Sequence, residues 1–162
     1  MPNTISQTKH TRIYRKMKNE TVLNFGTKYF QFKHKGKEAI KHLIKVKEGE
    51  CISAMHRHGI GDIDVVWGEN DSKNKGFGLK HIIEKHGKEI LQLGFKVEDF
   101  IPIIVQFGEL KEVKENDRIS LEGKMFRIVI SKAYHQDGQK IKKNFVLTSF
   151  DLRPLTKKPS KK

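Results

Sequence analysis

Apolar residues recur along this chain with two different periods, and the change from one to the other marks out its elements. Ala39, Ile40, Leu43 and Ile44 make a single stripe on a helix that begins at Gly36, with Lys37, Lys41 and Lys45 on its wet side. Leu79, Ile82, Ile83, His86 and Ile90 repeat that spacing and predict a second helix from Phe77 to Leu93. Val97 to Phe107 reads as a third, more apolar helix, which Pro102 is expected to interrupt early. Between the first two helices the period drops to two. Gly61-Asp62-Ile63-Asp64-Val65-Val66-Trp67-Gly68 alternates between glycine ends and predicts a strand with Ile63, Val65 and Trp67 on one face. Glu69 to Gly76 reads as a polar loop, and Cys51 to His58 receives no assignment.

Past the third helix the chain becomes strand-rich. Glu109 to Val113, Arg118 to Leu121, Met125 to Ser131 and Phe145 to Phe150 alternate, with Glu122-Gly123-Lys124 and Gln136-Asp137-Gly138-Gln139 as turns. A two-residue turn centred on Asp137-Gly138 pairs Arg127 with Thr148, Val129 with Val146 and Ser131 with Asn144. The alternate face then carries Phe126, Ile128 and Ile130 against Phe145, Leu147 and Ser149, and is expected to face the core. The polar face suits either an anion-binding floor or an ordinary solvated surface. The expected fold is therefore α+β, helices first and an antiparallel sheet of about four strands after. That domain spans residues 36–152. A basic arm, 1–35, precedes it, and its patch of Phe25, Tyr29, Phe30 and Phe32 suits a strand or an ordered arm; a lysine- and proline-rich tail, 153–162, is expected to be disordered.

Charge narrows the partner. Lys and Arg total 33 against 19 Asp and Glu, a formal net charge of +14, which calls for a polyanion such as nucleic acid, an anionic membrane surface or an acidic protein. Cys51 is the one cysteine, so an intrachain disulfide and a four-cysteine metal site are excluded. The sequence has no apolar run of membrane-spanning length and no secretory signal pattern at its N-terminus. A cytoplasmic site of action is expected, reached by a phage particle or a larger carrier protein if the chain is delivered.

Histidine is the side chain best suited to proton transfer near neutral pH, and His81 and His86 lie on one predicted helix. Five residues apart, they sit on different sides of an ideal helix, against joint metal chelation; neither a metal nor a cofactor is expected. His86 shares the apolar stripe and His81 does not, while His56 and His58 read as loop residues. RNA brings its own nucleophile, the 2′-hydroxyl, so cleavage needs only a base, an acid and groups that hold the phosphorane charge.

The segments Gly61 to Gly68, Gly76 to His86 and Phe145 to Phe150, in that order, resemble the phage and bacterial toxin ribonucleases of the barnase, EndoU, colicin and RelE-like superfamily, in particular a phage-encoded and epsilon-proteobacterial branch. The resemblance covers residues 36–152 and implies helices followed by a four-stranded antiparallel sheet. It implies RNA cleavage, of transfer RNA in better-studied relatives, with catalytic roles for His81, His86, Arg127 and Thr148. Lys80, Lys85, Ser131, Lys143 and Asn144 are the candidate contacts to nucleic acid. A toxin of this kind implies a small acidic immunity or antitoxin partner. Two readings compete: a non-catalytic RNA- or DNA-binding module, and a phage structural or injected protein.

Overall fold

The computed structural model describes residues 25–73, 75–113 and 117–152. Among the described residues the first element is a short strand β1 (Lys28–Tyr29), followed by helix α1 (Gly36–Val46), strands β2 (Glu50–Arg57) and β3 (Gly61–Val66), and a small hairpin of β4 (Glu69–Asn70) and β5 (Gly76–Phe77). Helices α2 (Gly78–Gln92) and α3 (Val97–Phe107) follow, and β6 (Glu109–Val113), β7 (Arg118–Glu122), β8 (Phe126–Gln136) and β9 (Gln139–Asp151) close it. The class is α+β, as expected. The sheet is larger than expected: seven strands in the order β1-β2-β3-β9-β8-β7-β6, mixed because β1 pairs β2, and β3 pairs β9, in parallel. Helices do not all come first either, since α1 precedes β2 and β3.

The extra strands have a physical reason. A four-stranded meander would leave β9 as a long open edge, and β3 covers it. Cys51 to His58, unassigned from sequence, is most of β2. Its alternation is broken by a register shift between Cys51 and Met55, where Ser53 takes a positive φ of 53°.

The three helices among the described residues lie on one face of the sheet. Ala39, Ile40 and Leu43 of α1, Leu79, Ile82 and Ile90 of α2, and Phe100, Ile101, Ile104 and Val105 of α3 share one buried cluster with Ile63, Val65, Ile119, Leu121, Ile128, Ile130 and Val146 of the strands. Trp67 packs against the same cluster, as its parity predicts. α3 runs through Pro102 without a break, contrary to the expected interruption. At its far end Arg57 of β2 donates to the carbonyls of Val105, Gln106 and Gly108 at 2.8–2.9 Å, satisfying orphan acceptors where the helix dipole favours a cation.

The β8–β9 turn is where the sequence puts it, and Gln136–Gln139, His135–Lys140, Tyr134–Ile141 and Ala133–Lys142 pair as a tight hairpin requires. Two register shifts then change the partners: Ser131 faces Phe145, Ile130 faces Val146, and Val129 faces Thr148. Arg127 consequently lies opposite Phe150 and not Thr148, and the expected Val129–Val146 and Ser131–Asn144 pairs do not form. Each extra residue on β9 reverses which face its successors occupy. Val146 takes the core side, and Phe145 moves to the outer face in one row with Asp64 and Ser131.

One ladder pair, Asp64 with Phe145, joins β3 to β9, and side chains beside the first bulge reinforce that thin seam. Lys143 Nζ lies 2.8 Å from Glu50 Oε1 and 2.5 Å from Asp64 Oδ2, with all three groups largely removed from water. Asn144 Nδ2 donates to the carbonyls of Ile60 and Asp62. Over the outer face, Phe25, Phe77, Tyr134 and Phe145 form an aromatic cluster with ring centroids 5.3–6.2 Å apart. Three of the four aromatic residues of the N-terminal patch therefore pack on this fold, while Phe30 is exposed. Phe25 caps Phe145, Tyr29 sits in β1, and Tyr29 and Phe32 flank His42.

Candidate active site

The predicted loop between β3 and α2 contains the β4–β5 hairpin, and two glycines let it close. A Cβ on Gly68 would come within 2.0 Å of the Phe77 carbonyl oxygen, and one on Gly76 within 2.0 Å of that of Glu69. The turn is tied by Asp71, whose Oδ1 accepts from Lys73 N at 2.8 Å and Lys75 N at 2.9 Å. Trp67 O accepts from Lys80 N, seating the end of β3 on the first turn of α2.

This hairpin explains why His81, off the apolar stripe of α2, is nevertheless buried. Asn70 of β4 reaches over it: His81 Nδ1 lies 2.8 Å from Asn70 Oδ1, and Asn70 Nδ2 donates to Glu84 Oε2 at 3.2 Å. With the amide nitrogen turned to the carboxylate, the amide oxygen is the acceptor, so His81 Nδ1 carries the proton and Nε2 keeps its lone pair. Burial pushes the His81 pKa below the ordinary histidine value, and Lys85 and His86 push it further the same way. The result is a neutral imidazole in a fixed tautomer, the state a general base requires.

His86 is also buried, one turn and a third further along α2. The two rings approach edge to face with centroids 6.3 Å apart, closer than opposite sides of a bare helix would suggest. Glu89 Oε2 lies 3.7 Å from His86 Nδ1. Lys80 is half-buried and Lys85 exposed on the same helix, so two cations border the histidines.

The other predicted residues fall elsewhere. Arg127 and Thr148 share the outer sheet face, because Thr148 faces Val129, two residues along from Arg127, whereas the histidine helix packs on the opposite face. Arg127 Nε is 3.8 Å from Glu122 Oε1, and Glu122 also holds Lys111 at 3.0 Å. Thr148 is buried, its hydroxyl donating to Ser149 O at 3.4 Å. Ser131 is buried as well and donates to Ala133 O. Lys143 and Asn144 are engaged in the β3–β9 seam. Thus the four predicted catalytic residues form two groups, one in the helix layer and one on the far side of the sheet.

Sequence reasoning missed Asn70 and Glu84, which position His81. The signal available was a pair of glycines, Gly68 and Gly76, bracketing a polar loop just ahead of a histidine-bearing helix. It also passed over a second histidine group, in which His34 Nε2 and His56 Nδ1 each lie 2.9 Å from Asp62 Oδ1. Hydrogen bonds from His34 and His56 bring the Asp62 carboxyl down to about 2. Among the described residues no helix is long and apolar enough to cross a membrane.

The family described as phage-Barnase-EndoU-ColicinE5/D-RelE like nuclease1 matches residues 54–154, well over half of the chain. The match runs from β2 through the histidine helix to the end of β9. No curated protein and no solved structure matches.

Proposed function

The chain belongs to the phage-Barnase-EndoU-ColicinE5/D-RelE like nuclease family, and from that premise we propose that it is a metal-independent endoribonuclease with His81 as its general base. The observation that carries this reading is the Glu84–Asn70–His81 chain, which fixes the tautomer of a desolvated imidazole. In the proposed reaction His81 Nε2 takes the 2′-hydroxyl proton as that oxygen attacks phosphorus. The bond to the 5′-oxygen breaks, and His86 returns a proton to it. The products are a 2′,3′-cyclic phosphate and a 5′-hydroxyl, with no oxidant or co-reactant.

Lys80 and Lys85 hold the scissile region from the same helix, and Arg127 makes an electrostatic contact with RNA further along the strand. Thr148, with its hydroxyl turned to the backbone, has a supporting role in the sheet. Transfer RNA is the substrate class that the superfamily suggests, and the net charge of +14 suits an acidic immunity protein that would cover the basic surface. Delivery by a phage particle belongs to the same proposal.

Incubation of the purified chain with total bacterial RNA in excess EDTA, beside His81→Ala and His86→Ala, tests it. Discrete fragments ending in 2′,3′-cyclic phosphate, lost in the variants, are expected. Intact RNA with retained salt-sensitive binding would overturn the catalytic reading in favour of a binding module.

A further inference from the structure

Three elements meet at the end of β3 remote from α2. The turn ahead of α1 places His34 in the left-handed region, φ 56°, and its backbone N–H donates to Ser53 O at 2.9 Å, which docks the turn on the bulge of β2. His56 on β2 pairs directly with Asp62 on β3, so the two side chains share the outer face. His34 Nε2, His56 Nδ1 and Asp62 Oδ1 all lie within 4.8 Å of one another. The side chains are 48%, 51% and 40% exposed, so an ion reaches them without any opening of the fold.

Both imidazoles bring a ring nitrogen to the same atom, Asp62 Oδ1. A cation can take the place of the two bridging protons. With metal–nitrogen and metal–oxygen bonds of about 2.0–2.1 Å, tetrahedral ligand atoms stand roughly 3.3 Å apart, so each 2.9 Å contact needs to lengthen by only a few tenths of an ångström. Two imidazoles and one carboxylate on one side of the ion leave its remaining positions to water, and imidazole donors select zinc-class ions over magnesium or calcium. The backbone that carries two of the ligands is fixed in place: Ser53 O accepts from the His34 N–H, and Asn144 Nδ2 donates to the Asp62 carbonyl at 3.3 Å.

We propose that His34, His56 and Asp62 form a binding site for a divalent transition cation of the zinc class, which fastens the turn ahead of α1 to the β2–β3 hairpin. The site lies at the opposite end of β3 from the hairpin that covers His81, and it is structural; it does not depend on the ribonuclease reading, whose cleavage proceeds in EDTA.

Co²⁺ added to the full chain after chelator treatment, followed by its visible absorption and displaced by Zn²⁺, reads the site directly. One saturable equivalent is expected, with a higher thermal midpoint in the presence of Zn²⁺. His34→Gln and Asp62→Asn should each weaken binding at least about tenfold, since even an outer-shell partner is worth that much, and should abolish the Zn²⁺ effect on melting. His135→Ala, at an exposed histidine on β8, should change neither. Far-UV circular dichroism establishes that each variant is folded. Absence of saturable binding, or binding that survives in both folded site variants, would overturn the proposal; loss of RNA cleavage in the His81 variant would not bear on it.

Discussion

Replacing Lys143 by methionine isolates the seam that joins the two halves of the sheet. The ammonium sits 2.8 Å from Glu50 and 2.5 Å from Asp64, and the three side chains are 13%, 2% and 15% exposed. Methionine fills the same stem volume and removes the only positive charge among them, leaving two largely buried carboxylates facing one another. Breaking a buried pair by deleting one partner costs about 3–5 kcal/mol. Partial access of water to Asp64 favours the lower end, about 3 kcal/mol. For a chain of this size that lowers the melting temperature by roughly 10 °C.

Glu50→Gln is the informative contrast. It removes the surplus carboxylate, leaves a one-to-one pair, and should cost only about 1–2 kcal/mol, as for a weakened hydrogen bond to a charged group. Urea unfolding at neutral pH, followed by far-UV circular dichroism, gives both numbers. If Lys143→Met fell within about 0.5 kcal/mol of the parent, the triad would be behaving as a solvated surface pair, and the account of the seam would be wrong. The same variant separates structure from RNA contact. The salt slope of RNA binding should stay unchanged in Lys143→Met, because its charge neutralises carboxylates and not phosphates.

Further outcomes follow from the site itself. His81 has a depressed pKa, so the folded state binds fewer protons than the unfolded state below about 6.5; stability should therefore fall as pH drops from there toward the lowered value, and the acid limb of the cleavage rate should fall in the same window. Asn70→Ala should shift that limb and lower kcat more than it raises KM, measured over the same pH series, with His81→Ala reducing the rate about 10²–10⁴-fold. Gly76→Ala puts a methyl 2.0 Å from Glu69 O, so the β4–β5 hairpin must open; a loss of about 1–3 kcal/mol in urea unfolding is expected, together with a lower cleavage rate. Cys51 is fully buried, and its pKa is pushed up to about 12 by desolvation and then by Asp64 and Glu50, so disulfide reagents should label it only at the rate of global unfolding.

The three helices, the β3 strand, the final hairpin turn and the α+β class are legible in the sequence, because each is written in residues a few positions apart: a helical stripe, an alternation, an Asp-Gly pair. Two histidines on one helix are legible for the same reason. The partners are not. His81 meets Asn70 eleven residues away only because two glycines let a small hairpin close, and Lys143 meets Glu50 across ninety-three residues only because β3 adds to β9 in parallel. Two bulges in β9 move Thr148 away from Arg127 and carry Phe145 to the outer face, and a bulge hides β2 behind a broken alternation. Local periodicity is set by backbone geometry and can be read along the chain. Register, face and long-range pairing are set by which edges must be covered and which charges must be matched, and those are decided only when the whole sheet is assembled.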